Sequence, residues 1–352
     1  MRDFEEEDFF PEDRKRNKKI RKIQRATDKS KYKKTDQKKQ KEIKVAQKDL
    51  KAGQILAITG ETALVLIEGK PLECTLKGVL KKEKTREKNL IAVGDFVRVQ
   101  LQGEDQGVIA QVEERFSYLA RSDASGRKQQ LIAVNIDLAF ITISVVKPPL
   151  KPSLVDRYMI SAERGNIQPI VLINKIDLLK NASDKDKELF EEFVSAYEEA
   201  GIQILSISAK TRKGLGLLKK SMKNKSSVFS GQSGVGKSSI LNSALGLDLK
   251  VGKLIEKALK GKHTTTKAEL IPLKEGGFCV DTPGIRSFGI YNLQKDEIIK
   301  HFHEIAKTAR KCKYPNCSHL KEPSCAVQKA VDDKKISRLR FESYRSLIKD
   351  NL

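Results

Sequence analysis

Two short segments of this chain carry residue types and spacings suited to holding a nucleoside triphosphate. Gly231-Gln232-Ser233-Gly234-Val235-Gly236-Lys237-Ser238 has the pattern GxxxxGKS. Its glycines let backbone N–H groups converge on phosphates, and the start of the following helix adds positive dipole. Lys237 can neutralise β/γ charge, and Ser238 can offer its hydroxyl to Mg²⁺. The loop follows an apolar strand ending at Ser230 and opens a helix at Ser238-Ser239-Ile240-Leu241, which is the context this motif requires. Such a loop does not choose between ATP and GTP. Asn174-Lys175-Ile176-Asp177, at the end of the apolar run Pro169–Ile173, can make that choice. Its aspartate would accept hydrogen bonds from guanine N1 and N2, a donor pair adenine lacks. Lys175 would lay its stem along the base, and Asn174 would tie the turn to the phosphate loop. Ser208-Ala209-Lys210, after the next strand, reads as support for the base.

The order of these pieces is reversed relative to an ordinary small GTPase, where the phosphate loop comes first. Here the base reader comes first, then the base support, the phosphate loop, the threonines of His263-Thr264-Thr265-Thr266, and finally Asp281-Thr282-Pro283-Gly284. That order describes a circularly permuted G domain. Asp281 ends a strand and would hold the Mg²⁺ water shell, and the Gly284 N–H would meet the γ-phosphate. Thr265 is the threonine expected to ligate magnesium beside Ser238. Ile285 stands where a water-orienting glutamine would sit, and an alkyl side chain cannot position water. Intrinsic hydrolysis should therefore be slow. His263 is the candidate substitute, ordered when a partner docks; the alternative is a bystander histidine in a mobile loop.

A second cluster points to metal. Cys312-x₄-Cys317-x-His319-x₅-Cys325 offers three thiolates and one imidazole, a closed tetrahedral set suited to structural Zn²⁺. Clustered cysteines in a cytosolic protein favour metal over disulfide. His301 and His303, on the helix before the cluster, read as surface or packing residues, and Cys279 as a packed strand residue.

The elements that must position these groups fall into four stretches. Residues 1–48 form a basic extension without a core of its own, with 17 Lys/Arg against three acids between 14 and 48. Residues 49–120 alternate short apolar runs (54–58, 63–67, 96–99, 108–112) with glycine turns, the texture of a small OB-type β-barrel. Residues 121–291 change to βα units, with near-continuous apolar strands at 137–146, 169–173 and 202–207 and helices from Ser153 and across 186–200. Such strands imply a parallel sheet covered on both faces. Residues 292–352 turn helical and basic around the cysteine cluster. The fold class expected is thus α/β, a permuted P-loop GTPase domain between an OB-type barrel and a helical zinc-binding domain.

With 352 residues and 39% hydrophobic content, the chain can bury cores for several domains. No apolar run approaches the roughly eighteen residues of a membrane span, and the N-terminus lacks an apolar leader. A cytoplasmic monomer without membrane partners is expected. The net charge of +23 suits a polyanion such as RNA, although a solvated solubilising tail would look similar.

Taken together, the chain closely resembles the RsgA (YjeQ) family of small-subunit ribosome-biogenesis GTPases, over about residues 50–350. The resemblance rests on Gly261-Lys262-His263-Thr264-Thr265-Thr266, Asp281-Thr282-Pro283-Gly284, the zinc spacing, and Glu322-Pro323-Ser324-Cys325-Ala326-Val327. It implies slow GTP hydrolysis stimulated by the small ribosomal subunit, contact with its rRNA, a checkpoint late in subunit maturation, and His263 as the catalytic substitute for glutamine. The lysine-rich N-terminus departs from the family in length. Two other readings stay open: an RNA-binding assembly scaffold whose nucleotide only sets affinity, and a P-loop ATPase.

Overall fold

The computed structural model describes residues 50–77, 90–103, 105–122, 129–244, 268–281 and 295–350. Five strands close into a barrel in the order β1-β2-β3-β5-β4: Lys51–Thr59, Thr62–Ile67, Lys70–Leu76, Phe96–Leu101 and Gln106–Val112 for β1 to β5. The β1–β4 and parallel β3–β5 pairings close it, as expected of an OB-type barrel. Alternation sends Ile55, Val65, Cys74, Val97 and Ile109 inward, and these form the barrel core. Strand β3 was not legible in the sequence because Lys70, Pro71 and Glu73 interrupt its apolar pattern. Only Leu72 and Cys74 are buried along it.

A two-stranded ribbon, β6 (Tyr118–Ser122) and β7 (Gln129–Val134), follows the barrel. The turn at residues 90–95 joins barrel to ribbon. Val134 N–H donates to Val93 O (2.8 Å) and Asn135 Nδ2 to Gly94 O (3.1 Å). A Cβ at Gly94 would lie 2.1 Å from Val134 O, so the close approach requires glycine there. Beneath, the fully buried Asp95 carboxylate accepts two bonds from Arg115 (2.7 and 3.0 Å) and one from Ala92 N–H (2.6 Å).

The large sheet has six strands in the order β10-β9-β8-β11-β13-β12. They are β8 (Leu138–Ser144), β9 (Gln168–Asn174), β10 (Ile204–Ser206), β11 (Ser226–Ser230), β12 (Glu269–Pro272) and β13 (Phe278–Asp281). All but β12 run parallel. Every residue of β8 and β11 is buried, which explains their lack of alternation in sequence. One face packs α1 (Pro152–Arg164) and α2 (Asp184–Glu199) through Val155, Tyr158, Phe193 and Tyr197. The other packs α3 (Leu215–Met222) and α4 (Lys237–Ala244) through Leu215, Leu218, Met222 and Ile240.

The barrel is continuous with the first of these cores, where Leu56 and Ala57 of β1 join Leu270 of β12. Four short helices complete the described chain: α5 (Lys295–His301), α6 (His303–Ala309), α7 (Ala326–Asp332) and α8 (Arg338–Lys349). They share a separate core of Ile298, Phe302, Ile305, Val327, Phe341 and Leu347 that also receives Ile160 of α1. Among the described residues, no helix is long and apolar enough to cross a membrane.

Candidate functional site

Among the described residues, those expected to hold a nucleotide come together because parallel strands place their C-terminal ends along one edge. β9 ends at Asn174, β10 leads to Ser208, β11 to Gly231, and β13 ends at Asp281. Crevices at this edge are where open α/β sheets bind ligands. Asn174, 1% exposed, cross-links three segments. Its Nδ2 donates to Val235 O of the phosphate loop (2.9 Å), and its Oδ1 accepts from Ala209 N–H (3.1 Å). The bond expected from this asparagine to the phosphate loop is therefore present, with one to the base-support loop besides. Gly236 has φ +96°, and a Cβ there would lie 2.4 Å from Asn174 Nδ2. Glycine is needed at this position for both conformation and contact.

Lys175 takes a left-handed conformation, φ +64°, at the turn out of β9. Its Nζ donates to Lys147 O and Gly234 O, both at 2.6 Å. Lys147 O also accepts from Ser144 Oγ (2.9 Å). Sequence reasoning missed this brace, whose only signal is Pro148-Pro149 directly after an apolar strand. Ile176 and Asp177 open a 3₁₀ turn spanning Ile176–Asn181. The Asp177 carboxylate accepts from Ser208 Oγ at 2.6 Å, and Ser208 Oγ accepts from Thr211 N–H at 3.1 Å. Ser208 is buried and Lys210 exposed.

The phosphate loop runs from Ser230, buried at the end of β11, to Ser238, exposed in the first turn of α4. Gly231 is packed so closely on β8 that a Cβ would lie 2.0 Å from Thr142 O. Gly234 has φ +83°, while Val235 is buried beneath it. Lys237 Nζ arches over the loop to Gly231 O (2.7 Å) and Gln232 O (2.8 Å), leaving Ser233 and Gly234 on the surface. β13 pairs with β11 at Val228↔Val280, so the backbone of Asp281 lies one strand from the loop. His263, Thr265 and Gly284, with Thr264, Thr266 and Ile285, lie outside the described residues.

The cysteine cluster is assembled in space as its spacing suggested. Ligand atoms of Cys312, Cys317, His319 and Cys325 all lie within 4.8 Å of one another. Cys312 Sγ is 3.8 Å from Cys325 Sγ and 3.6 Å from His319 Nδ1, and His319 Nδ1 is 3.3 Å from Cys325 Sγ. A tetrahedral ion with metal–sulfur bonds of about 2.3 Å and metal–nitrogen bonds of about 2.1 Å requires edges of about 3.6–3.8 Å. The residues present therefore fit a metal ion. His319 is 2% exposed, and burial lowers its pKa, favouring the neutral ring that ligates. Glu322 braces the loop by accepting from Ser318 N–H (2.6 Å) and Lys321 N–H (3.0 Å). Burial opposes its charge, but the Ser318 hydroxyl, which also donates to it, and these N–H groups win and hold its pKa down to about 2. His301 pairs with Glu163, whereas His303 is exposed and Cys279 is packed in the sheet at 1% exposure.

Residues 112–291 match the RsgA GTPase family. The chain belongs to that family. It is 36% identical over 286 residues to the protein of Bacteroides fragilis (strain ATCC 25285) named small ribosomal subunit biogenesis GTPase RsgA, covering 80% of this chain and 91% of that one. The protein of the same name from Flavobacterium psychrophilum is 37% identical over 287 residues, covering 80% and 87%. Among solved structures, YloQ, described as a circularly permuted GTPase, superposes with a TM-score of 0.66 at 28% identity, over 86% of this chain and 95% of that one. YjeQ from Thermotoga maritima gives 0.68 at 27% identity, over 86% and 98%. As a member of an RsgA family of GTPases, the chain is a circularly permuted GTP hydrolase that works with Mg²⁺ and guanine nucleotide.

Proposed function

We propose that this GTPase binds the small ribosomal subunit and its rRNA and assists late maturation of that subunit, in the cytoplasm and as a monomer. The observation that supports this best is the convergence of Asn174, Asp177, Ser208 and the phosphate loop at one sheet edge, in a chain alignable with its named relatives over most of their length. In this reading Asp177 reads guanine, with Ile176, Ala209 and Lys210 flanking the base. Gly231 to Ser238 hold the phosphates, and Ser238 and Thr265 hold Mg²⁺. Asp281 and Gly284 face the γ-phosphate. His263 orients the attacking water, which displaces GDP from the γ-phosphoryl group to give phosphate. Cys312, Cys317, His319 and Cys325 hold one Zn²⁺, which supplies no reaction chemistry and fixes the fold. Functional boundaries near 48, 120 and 291 separate the basic extension, barrel, G domain and zinc module.

Two measurements test this reading. Small subunits should raise the GTP turnover rate well above that of the protein alone; equal rates would leave a nucleotide-tuned scaffold instead. Asp177→Asn removes a charge-assisted acceptor, with an expected cost of about 1.5–3 kcal/mol in GTP binding. Xanthosine nucleotide should gain correspondingly, because it offers an acceptor where guanine offers a donor. An unchanged GTP affinity would mean that Asp177 does not touch the base.

A further inference from the structure

The G domain carries opposite charges on its two faces. Helix α2, packed on one side of the sheet, has seven carboxylates against Lys185 and Lys187. Helix α3 covers the other side, burying Leu215, Leu218 and Met222. The stretch from the base-support loop through α3, residues 208–225, holds seven Lys/Arg and no Asp or Glu. Of these, Lys210, Arg212, Lys213, Lys220, Lys223 and Lys225 are exposed. Among the described residues, none of the seven forms an ion pair. Leu217, 62% exposed, lies on the same helix face three residues before Lys220, and Lys223 follows directly on the end of the helix.

We infer that this α3 face grips the phosphodiester backbone of RNA, resting on the proposal that ribosomal RNA is the partner. Charge supplies the argument: uncompensated cations on one face and carboxylates on the opposite one orient a polyanion toward α3 and away from α2. The stretch contains no aromatic residue, so it offers nothing for base stacking, and contact with phosphate is sequence-independent. The face is also contiguous with the nucleotide site. Ser208 N–H donates to Lys213 O (3.0 Å), and Ser208 Oγ holds Asp177. RNA seated on Arg212 and Lys213 therefore bears on the loop that supports the base reader.

The test uses the full chain carrying Lys220→Glu and Lys223→Glu, beside a control carrying Glu191→Gln and Glu192→Gln on α2. Binding is measured to small subunits and to deproteinised small-subunit rRNA across a salt series, with fluorescent GDP affinity as the check on folding. The α3 variant should bind both about tenfold or more weakly at low salt, with a slope of log K against log salt shallower by roughly two. Its GDP affinity should be unchanged, and the α2 control should lose nothing. Equal binding and slope for parent and α3 variant would overturn the inference while leaving the ribosomal reading intact. Weakening with whole subunits but not with free rRNA would overturn RNA as the occupant. Failure of the parent to bind subunits or rRNA would overturn both.

Discussion

Removing the metal should unfold the C-terminal module while the nucleotide site survives. The ligand loop between Cys312 and Cys325 is largely exposed at 313–316 and buries little beyond its ligands and Leu320. Three cysteines and an imidazole converging inside 4.8 Å can act together as thiolate and imidazole ligands only when a cation replaces the thiol protons. In zinc-finger peptides, binding of a structural zinc contributes about 10–16 kcal/mol at neutral pH, an amount larger than the net stability of most domains. A chelator, or Cys312→Ser, should therefore open residues 310–325 to protease and reduce the helix signal of α7 and α8. Fluorescent GDP should remain bound, because the hydrogen bonds that hold Asn174 and Asp177 go, among the described residues, to Val235, Ala209 and Ser208 of the G domain. A stripped protein whose 310–325 loop stays protease-resistant would refute the metal assignment.

Loss of Arg340 should be the most damaging single substitution outside the ligands. This side chain, 3% exposed, enters from α8 and joins three other helices. Its Nη1 donates to Asp156 of α1, and its Nε donates to Glu304 of α6 at 2.8 Å. The guanidinium lies 4.9 Å from the Tyr197 ring centroid of α2 and 4.4 Å from that of Phe302. Asp156 accepts further from Ser343 Oγ and from Tyr197 Oη (2.8 Å). Burial alone would weaken the guanidinium's hold on its proton, but the Asp156 and Glu304 carboxylates keep its pKa above even the ordinary arginine value. Burial likewise keeps the Tyr197 phenol protonated and able to donate.

Arg340→Met would strand one fully buried and one half-buried carboxylate, a change expected to cost about 3–5 kcal/mol. The melting midpoint should fall by about 4–8 °C. Adding Asp156→Asn should recover part of the loss, since a buried pair is cheaper to remove whole than to split. A melting point within about 2 °C of the parent for Arg340→Met would show that the network is not what clamps the module to the G domain.

Legibility from sequence followed how local each physical requirement is. The phosphate loop could be read because it joins an adjoining strand and helix and its glycines answer a local backbone demand, Gly234 and Gly236 having positive φ. β8 and β9 could be read because burial on both faces leaves an apolar run. Strand β3 could not, because two inward side chains among Lys70, Pro71 and Glu73 make sense only once β5 lies alongside in parallel. β12 was missed for a similar reason: four residues ending in Pro272 become a strand by pairing antiparallel with β13. The ribbon of β6 and β7 was missed because each strand is short and the sequence between them is mostly polar.

By itself, the sequence determined which motifs are present: GxxxxGKS, NKxD, their reversed order and a Cys/His set of four. Each is a set of residue types whose function depends on spacing along one or two turns of backbone. Only the tertiary structure decided which distant groups hold those parts in place. Lys175 reaches the Lys147 carbonyl, Asn174 joins two loops, and Arg340 finds Asp156 across 184 residues of chain. These partners look ordinary in sequence because lysine, asparagine and arginine are at home on any surface. Burial at a particular crossing is what makes them indispensable, and burial is a property of the packed molecule.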